Sequence, residues 1–186
     1  MAGARLRADA ERNRAALLTA AREVFGEQGL DASLDEIARR AGVGNATLYR
    51  RFPTRKDLIA AVFADQKAKH LELAEHALQE PDPWTGFLRY VTRLCELQAT
   101  NRGLSELLGG VEGIDDERLT QLRTTSQRRA TEVILRAQRA GRLRVDFTLG
   151  DLGLLMMANA GVLHRTDDPQ AWRRQLTLLI DGLATR

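Results

Sequence analysis

The chain has 186 residues, enough for one compact domain or for a small domain fused to a larger one. It is 44% hydrophobic, poor in aromatic residues and rich in Ala, Leu and Arg, a composition that can fill a core and favours helix. No apolar run reaches membrane-spanning length, so no membrane partner and a cytoplasmic location are expected. The formal net charge of +3 is unevenly placed: residues 1–56 carry 11 Lys+Arg against 7 Asp+Glu, and the remaining 130 carry 17 against 18. The basic excess therefore lies in the first third, as a nucleic-acid footprint would place it, although a solvated charged face gives the same balance.

Arg5, Arg7, Arg12 and Arg14 are not followed by the apolar core of a signal peptide. The first helix is predicted from Arg12 to about Glu27, with Leu17, Leu18, Ala21, Val24 and Phe25 on one face and Gly29 as its end. Ser33-x-x-Glu36 reads as a capping box that opens a second helix at Leu34. Ile37, Ala38 and Ala41 form its apolar face, and Gly42 ends it. Asn45 is expected to cap a third helix through its side chain. In that helix Leu48 and Phe52 point inward at i, i+4, and Thr47, Tyr49, Arg50 and Arg51 point largely outward until Pro53 stops it. A short helix with hydroxyl, phenol and guanidinium groups outward suits the DNA major groove. An ordinary helical hairpin with a solvated face fits the same spacing.

Thr54-x-x-Asp57 starts a fourth helix, whose stripe of Leu58, Ile59, Val62, Phe63, Leu71, Ala74 and Leu78 carries it to about Gln79, before Pro81. Asp82-Pro83 opens a fifth, with Trp84, Phe87, Leu88, Val91, Leu94 and Cys95. A short helical piece follows over Gly103 to Leu108, then a glycine-rich stretch at Gly109, Gly110 and Gly113. A seventh helix runs from about Asp116 to Ala140, with Gly141 as its end. Thr148-x-x-Asp151 caps an eighth, with Leu152, Leu155, Met156, Asn159 and Leu163, and Asp168-Pro169 starts a ninth, with Trp172, Leu176, Leu179, Ile180 and Leu183. No strand pattern, repeat or low-complexity tract interrupts this series. The fold class is all-α, about nine helices. A small first domain over residues 1–56 is followed by a larger helical domain over 57–186.

Phe25, Gly29, Ser33, Ile37, Ala38, Ala41, Gly42, Val43, Leu48, Tyr49, Phe52, Lys56 and Leu58 stand in an order and spacing that resembles the N-terminal DNA-binding domain of the TetR family of bacterial transcriptional regulators. The resemblance covers the first third of the chain. The turn departs from the commonest family pattern: Gly44 stands where Ser is frequent, and Asn45-Ala46 where a Lys-Gly pair is frequent. The resemblance implies a DNA-contact set of Ser33, Gly44, Asn45, Thr47, Tyr49, Arg50, Arg51 and Lys56. Thr47, Tyr49 and Arg50 would lie near bases and phosphates, and Ser33 and Lys56 would hold backbone phosphates. Arg5 and Arg7 would form either an arm along the DNA or a plain disordered tail.

The same resemblance implies a small-molecule effector site in the second domain. Phe63, Phe87, Val91, Leu94, Leu107, Leu108 and Met156 could line it, and Gln66, Cys95 and Asn159 could orient the ligand. A filled core explains each apolar residue equally. The eighth and ninth helices could face inward, or pair with those of a second subunit as a four-helix bundle, as the resemblance implies. His70, Glu72, Glu75 and His76 on the fourth helix lack metal-ligand spacing and read as a solvated face, so no metal is expected. No cofactor motif or catalytic set emerges, and the protein is not expected to be an enzyme. The single Cys95 reads as a buried small hydrophobe. The function expected is a homodimeric, ligand-responsive repressor on a near-palindromic double-stranded DNA operator. The alternative is a helical small-molecule-binding protein or enzyme with a vestigial helix-turn-helix, which loss of Tyr49, Lys56 and the basic excess would have favoured.

Overall fold

A computed structural model describes residues 2–100 and 117–184. Among these residues there are eight helices and no strand: α1 (Ala2–Gln28), α2 (Leu34–Arg40), α3 (Asn45–Arg51), α4 (Arg55–Gln79), α5 (Pro83–Thr100), α6 (Glu117–Arg139), α7 (Leu149–Arg165) and α8 (Ala171–Leu183). The all-helical expectation holds. The piece expected over Gly103 to Leu108 lies outside the described residues. The first helix starts at Ala2 rather than Arg12, so the backbone of Arg5 and Arg7 is helical and not an extended arm.

The helix ends follow local chemistry. Gly29, Gly42 and Gly141 take φ of 87°, 67° and 66°, the left-handed region in which a Cβ is strained. At α4 the capping box forms: Thr54 N donates to Asp57 Oδ2 at 2.9 Å, and Asp57 N donates to Thr54 Oγ1 at 3.2 Å. At α7 the box repeats, with Thr148 N to Asp151 Oδ2 at 2.7 Å and Asp151 N to Thr148 Oγ1 at 3.3 Å. The expected box at Ser33 does not form, since Ser33 makes no side-chain cap bond. Its partner Glu36 is drawn along the helix instead, by Arg39 at 2.7 and 2.8 Å and Arg40 at 3.3 Å. The guanidinium of Arg39 beside it, with help from Arg40, holds the Glu36 carboxyl below its ordinary range.

The chain divides into two compact units within α4, between Asp65 and Gln66. This differs from the boundary expected after residue 56, because the opening turns of α4 belong to the first core. Leu58 and Val62 are buried there with Leu17, Leu18, Val24, Phe25, Ile37, Leu48 and Phe52. Arg22 on α1 pairs with Asp65 on α4, closing the unit at that end. Burial of each large apolar side chain contributes roughly 1.5–3 kcal/mol.

In the second unit, Ala74 and Ala77 of α4 pack with Trp84, Phe87, Val91, Leu94 and Cys95 of α5 and with Val133, Ile134 and Ala137 of α6. Trp84 stacks on Phe87 and Phe147 meets Phe87 edge-on, each with ring centroids 5.6 Å apart. Gly86 lets α5 pass the end of α4: a Cβ there would lie 2.5 Å from the Ala77 carbonyl oxygen. Arg136 donates to the Leu78 carbonyl at 2.8 Å, covering the end of α4. Gln138 Nε2 donates to the carbonyls of Arg144, Val145 and Phe147 at 3.0, 3.1 and 2.9 Å, pinning the loop between α6 and α7.

Candidate nucleic-acid interface

The apolar anchors decide which face of α3 is free. Leu48 is fully buried and Phe52 is 5% exposed, both against the α1–α2 core. Tyr49, Arg50 and Arg51 are consequently exposed and Thr47 is half-buried at the edge. Tyr49 leaves 47% of its surface to solvent, unusual for an aromatic side chain with a core alongside it. Lys56, in the first turn of α4, is also exposed. Among the described residues, no hydrogen bond or ion pair engages the side chains of Arg50 or Lys56. They are free cations on one compact unit.

Asn45 does not cap α3. Gly44 is the capping residue, its carbonyl accepting from Thr47 N at 2.8 Å and Leu48 N at 3.2 Å. Asn45 starts the helix proper and points its amide to Asp35, with Nδ2 to Oδ1 at 2.8 Å. Arg51 is occupied too: it donates to the Ala10 carbonyl at 3.1 Å and lies 3.9 Å from Glu11. It ties α3 to α1 and is not a free phosphate ligand. Ser33 and Gly44 are exposed. One anchor escaped the sequence: Arg55 donates to the Leu30 carbonyl at 2.8 Å, fixing the turn before α2 to α4. A basic residue next to Lys56 gave no sign of which would face inward.

Residues 17–62 match the family model described as bacterial regulatory proteins, tetR family, and residues 82–185 match that of the SbtR-like transcriptional regulator C-terminal domain. The crystal structure of a TetR transcription regulatory protein from Mycobacterium vanbaalenii superposes with a TM-score of 0.71 at 30% identity, over 97% of this chain and 99% of that one. A TetR transcriptional regulator from Streptomyces coelicolor superposes at 0.69 and 33% identity, over 92% and 98%. The chain belongs to the TetR family. The HTH-type transcriptional repressor LfrR of Mycolicibacterium smegmatis is 39% identical over 77 residues, which are 41% of this chain and 38% of that protein. The chain spans under half the length of the curated relatives it matches. The relatives are regulators, and this TetR-family chain groups with them rather than with enzymes.

The effector residues expected in this TetR-family chain are differently placed. Phe87, Val91, Leu94 and Cys95 are at most 3% exposed inside the second core, and Phe63 is buried in the first unit. The space imagined between the first four is filled by Ala130, Val133 and Ile134. Burial pushes the Cys95 thiol up to about 12, consistent with an inert packed sulfur. Gln66 and Met156 are half-buried. Leu107 and Leu108 lie outside the described residues. Asn159 is 2% exposed, and its Nδ2 donates to Gln98 Oε1 at 2.8 Å while its Oδ1 finds no partner among the described residues. Gln98 was missed, although it follows Cys95 by three positions on the apolar stripe of α5. A cleft of about 440 Å³ does exist, but elsewhere, between Phe147, Leu154, Leu155, Ala158, Leu179 and Leu183.

In α7 and α8, the eighth and ninth predicted helices, the apolar residues divide between an inner and an outer face, with Leu179 38% exposed. Leu155 and Leu176 are 7% and 6% exposed and face their own core. Leu154, Met157 and Leu178 are 63%, 70% and 56% exposed and form the outer face. Of the solvated cluster expected on the fourth helix, Glu72, Glu75 and His76 are exposed, whereas His70 is half-buried. Among the described residues, no group of three or more His, Cys, Asp or Glu side chains is placed to hold a metal, and no helix is long and apolar enough to cross a membrane.

Proposed function

We propose that this chain is a homodimeric, ligand-responsive transcriptional repressor acting in the cytoplasm on a near-palindromic operator. The observation that carries it is the outward face of α3. Tyr49 and Arg50 stand free on a helix whose other side is locked by Leu48 and Phe52, with Lys56 exposed at the start of the next helix. Thr47 and Arg50 read base edges, while Tyr49 and Lys56 hold phosphates, joined by the exposed hydroxyl of Ser33 and the backbone of Gly44. Asn45 and Arg51 set the pose of α3 through Asp35 and Ala10.

Dimerisation is assigned to Leu154, Met157 and Leu178. Three large apolar side chains on two successive helices are poor surface and good interface, and the same face on a second copy completes a four-helix bundle. The effector is assigned to the second unit, where the unpartnered Asn159 Oδ1 calls for a donor and Gln66 and Met156 are partly open.

The test is hydroxyl-radical footprinting of the DNA upstream of the protein's own gene. The expected pattern is two protected segments related by a pseudo-dyad, with centres about 34–36 Å apart or a multiple of that spacing. A single protected segment, or protection without symmetry, would count against the dimeric operator model.

A further inference from the structure

The buried stripe of α7 is Leu152, Leu155, Asn159 and Leu163. Its spacing of three and four residues puts one amide among leucines on a single helix face. Asn159 is 2% exposed, at a position where the core asks for an apolar side chain. Its amide is held in one orientation by a chain of bonds. Gln98 of α5 donates from Nε2 to the Met156 carbonyl at 3.3 Å, which turns Gln98 Oε1 toward Asn159. Asn159 Nδ2 donates to that oxygen at 2.8 Å. Turning the Asn159 amide over would set Oδ1 against Oε1, two acceptors face to face. Turning Gln98 as well would set Oε1 against the Met156 carbonyl, a second such clash. The backbone of α7 therefore fixes both amides, and Asn159 Oδ1 is left buried without a donor among the described residues.

A buried acceptor without a donor carries the full loss of its hydration, and a fourth leucine on the stripe would carry none. The surroundings are less closed than the core. On α5 the buried stripe ends at Cys95, and Gln98 and Ala99 beyond it are half-buried. On α7, Met156 and Ala160 beside Asn159 are half-buried too. The pair offers an acceptor at Asn159 Oδ1 and, on Gln98 Nε2, a second hydrogen to donate. A hydroxyl or an amide N–H satisfies Oδ1, and the oxygen of the same group can accept from Gln98. An ether sets another acceptor against Oδ1, and a carboxylate does so with a charge. An ammonium donates, but buries its charge beside two neutral amides.

We propose that Asn159 and Gln98 form the hydrogen-bonding end of a binding site for a small uncharged organic molecule that carries a donor, an alcohol or an amide. The inference rests on the second unit being the effector domain, and it names the group on the effector that this pair reads. Asn159 makes the contact, and Gln98 positions its amide.

The test uses the full chain without DNA, so that it stands apart from operator binding. The side-chain amide resonances of Asn159 and Gln98, assigned by their loss in Asn159→Leu and Gln98→Leu, are followed by NMR. The probes are n-butanol, butyramide, methyl propyl ether, butyrate and n-butylammonium. Butanol and the ether are isomers, so they differ in the donor and not in size. Butanol or butyramide is expected to shift the Asn159 amide saturably, and to bind about tenfold or more tightly than the ether and the two ions. Asn159→Leu should bind butanol and the ether alike, and Gln98→Leu should narrow the difference between them. Without probe, Asn159→Leu should melt no lower than the parent, because it removes the orphan acceptor, and circular dichroism checks its fold. Equal binding of butanol and the ether by the parent, no saturable shift with any probe, an unchanged preference in Asn159→Leu, or a lowered melting temperature for that variant would overturn the proposal. Operator affinity in saturating butanol or butyramide, measured separately, should differ from that of the probe-free protein. An unchanged affinity beside saturable binding would count against the effector role of the second unit and not against the amide site.

Discussion

The side-chain amide of Asn45 donates a 2.8 Å hydrogen bond to Asp35, joining the first turn of α3 to the first turn of α2. This bond crosses the turn of the helix-turn-helix and sets the angle at which α3 leaves it. Both side chains are exposed, so its contribution to folding is about 0.5–1.5 kcal/mol at most. Asn45→Ala and Asp35→Ala should each lower operator affinity more than they lower stability. In a double-mutant cycle on urea unfolding and DNA binding the two changes should be non-additive. Strict additivity in DNA binding would remove the positioning role of the pair.

The three basic side chains of the interface separate into two kinds. Lys56 and Arg50 are free, so replacing either with Ala should reduce the salt dependence of DNA binding by about one phosphate contact. Arg50→Ala should in addition change sequence preference. Arg51→Ala removes the bond to the Ala10 carbonyl and should lower stability while leaving the salt slope near that of the parent. Fluorescence anisotropy across a salt series, alongside urea unfolding, makes the comparison. An equal slope change for Arg51 and Lys56 would contradict the distinction.

The dimer face is tested by contrasting outer and inner positions. Leu154→Glu or Met157→Glu places a charge where the isolated chain is open to water, so the subunit should remain folded and sediment as a monomer. Leu176→Glu buries a charge in the subunit's own core at a cost of several kcal/mol, on the order of its whole stability, and should unfold it. A dimeric Met157→Glu protein would place the interface elsewhere.

Much of the fold was legible because its punctuation is local. Gly29, Gly42 and Gly141 end helices, and Thr54 and Thr148 begin them through bonds that reach only three residues. The outward face of α3 was legible for the same reason, since Leu48 and Phe52 fix it by spacing. Ser33 misled because Glu36 has competing arginines at i+3 and i+4, and no capping pattern weighs that competition. In α7, apolar and small residues occupy nearly the whole circumference, so periodicity could not separate Leu155 from Leu154. Spacing in the run His70, Glu72, Glu75 and His76 rules out a metal site, but it does not report that His70 alone of the four is half-buried. The bonds of Arg51 and Asn45 reach partners 41 and 10 residues away, a separation that spacing within one helix does not report.

His70 gives a pH prediction. Its folded value of about 4 lies below the ordinary 6.5, with burial as the main cause and Lys67 second. A group lowered in this way stays neutral in the fold while the unfolded chain takes up a proton. Stability is therefore full above 6.5 and falls as pH drops toward 4, below which this group adds no further loss. His70→Gln should lose less stability than the parent across that window, as followed by thermal melting at a series of pH values. Parallel curves for the two proteins would mean that His70 is not withdrawn from solvent.

The central claim is that the free face of α3 and the start of α4 bind a specific DNA site. The most direct measurement is an anisotropy titration of the DNA upstream of the protein's own gene against a scrambled duplex of equal length, with the parent and with a Tyr49→Ala, Lys56→Ala double variant. The account predicts that the parent prefers the upstream DNA by about 10³-fold or more at physiological salt, and that the folded double variant binds it far more weakly. Equal affinity of the parent for both duplexes, or an undiminished affinity in the double variant, would contradict it.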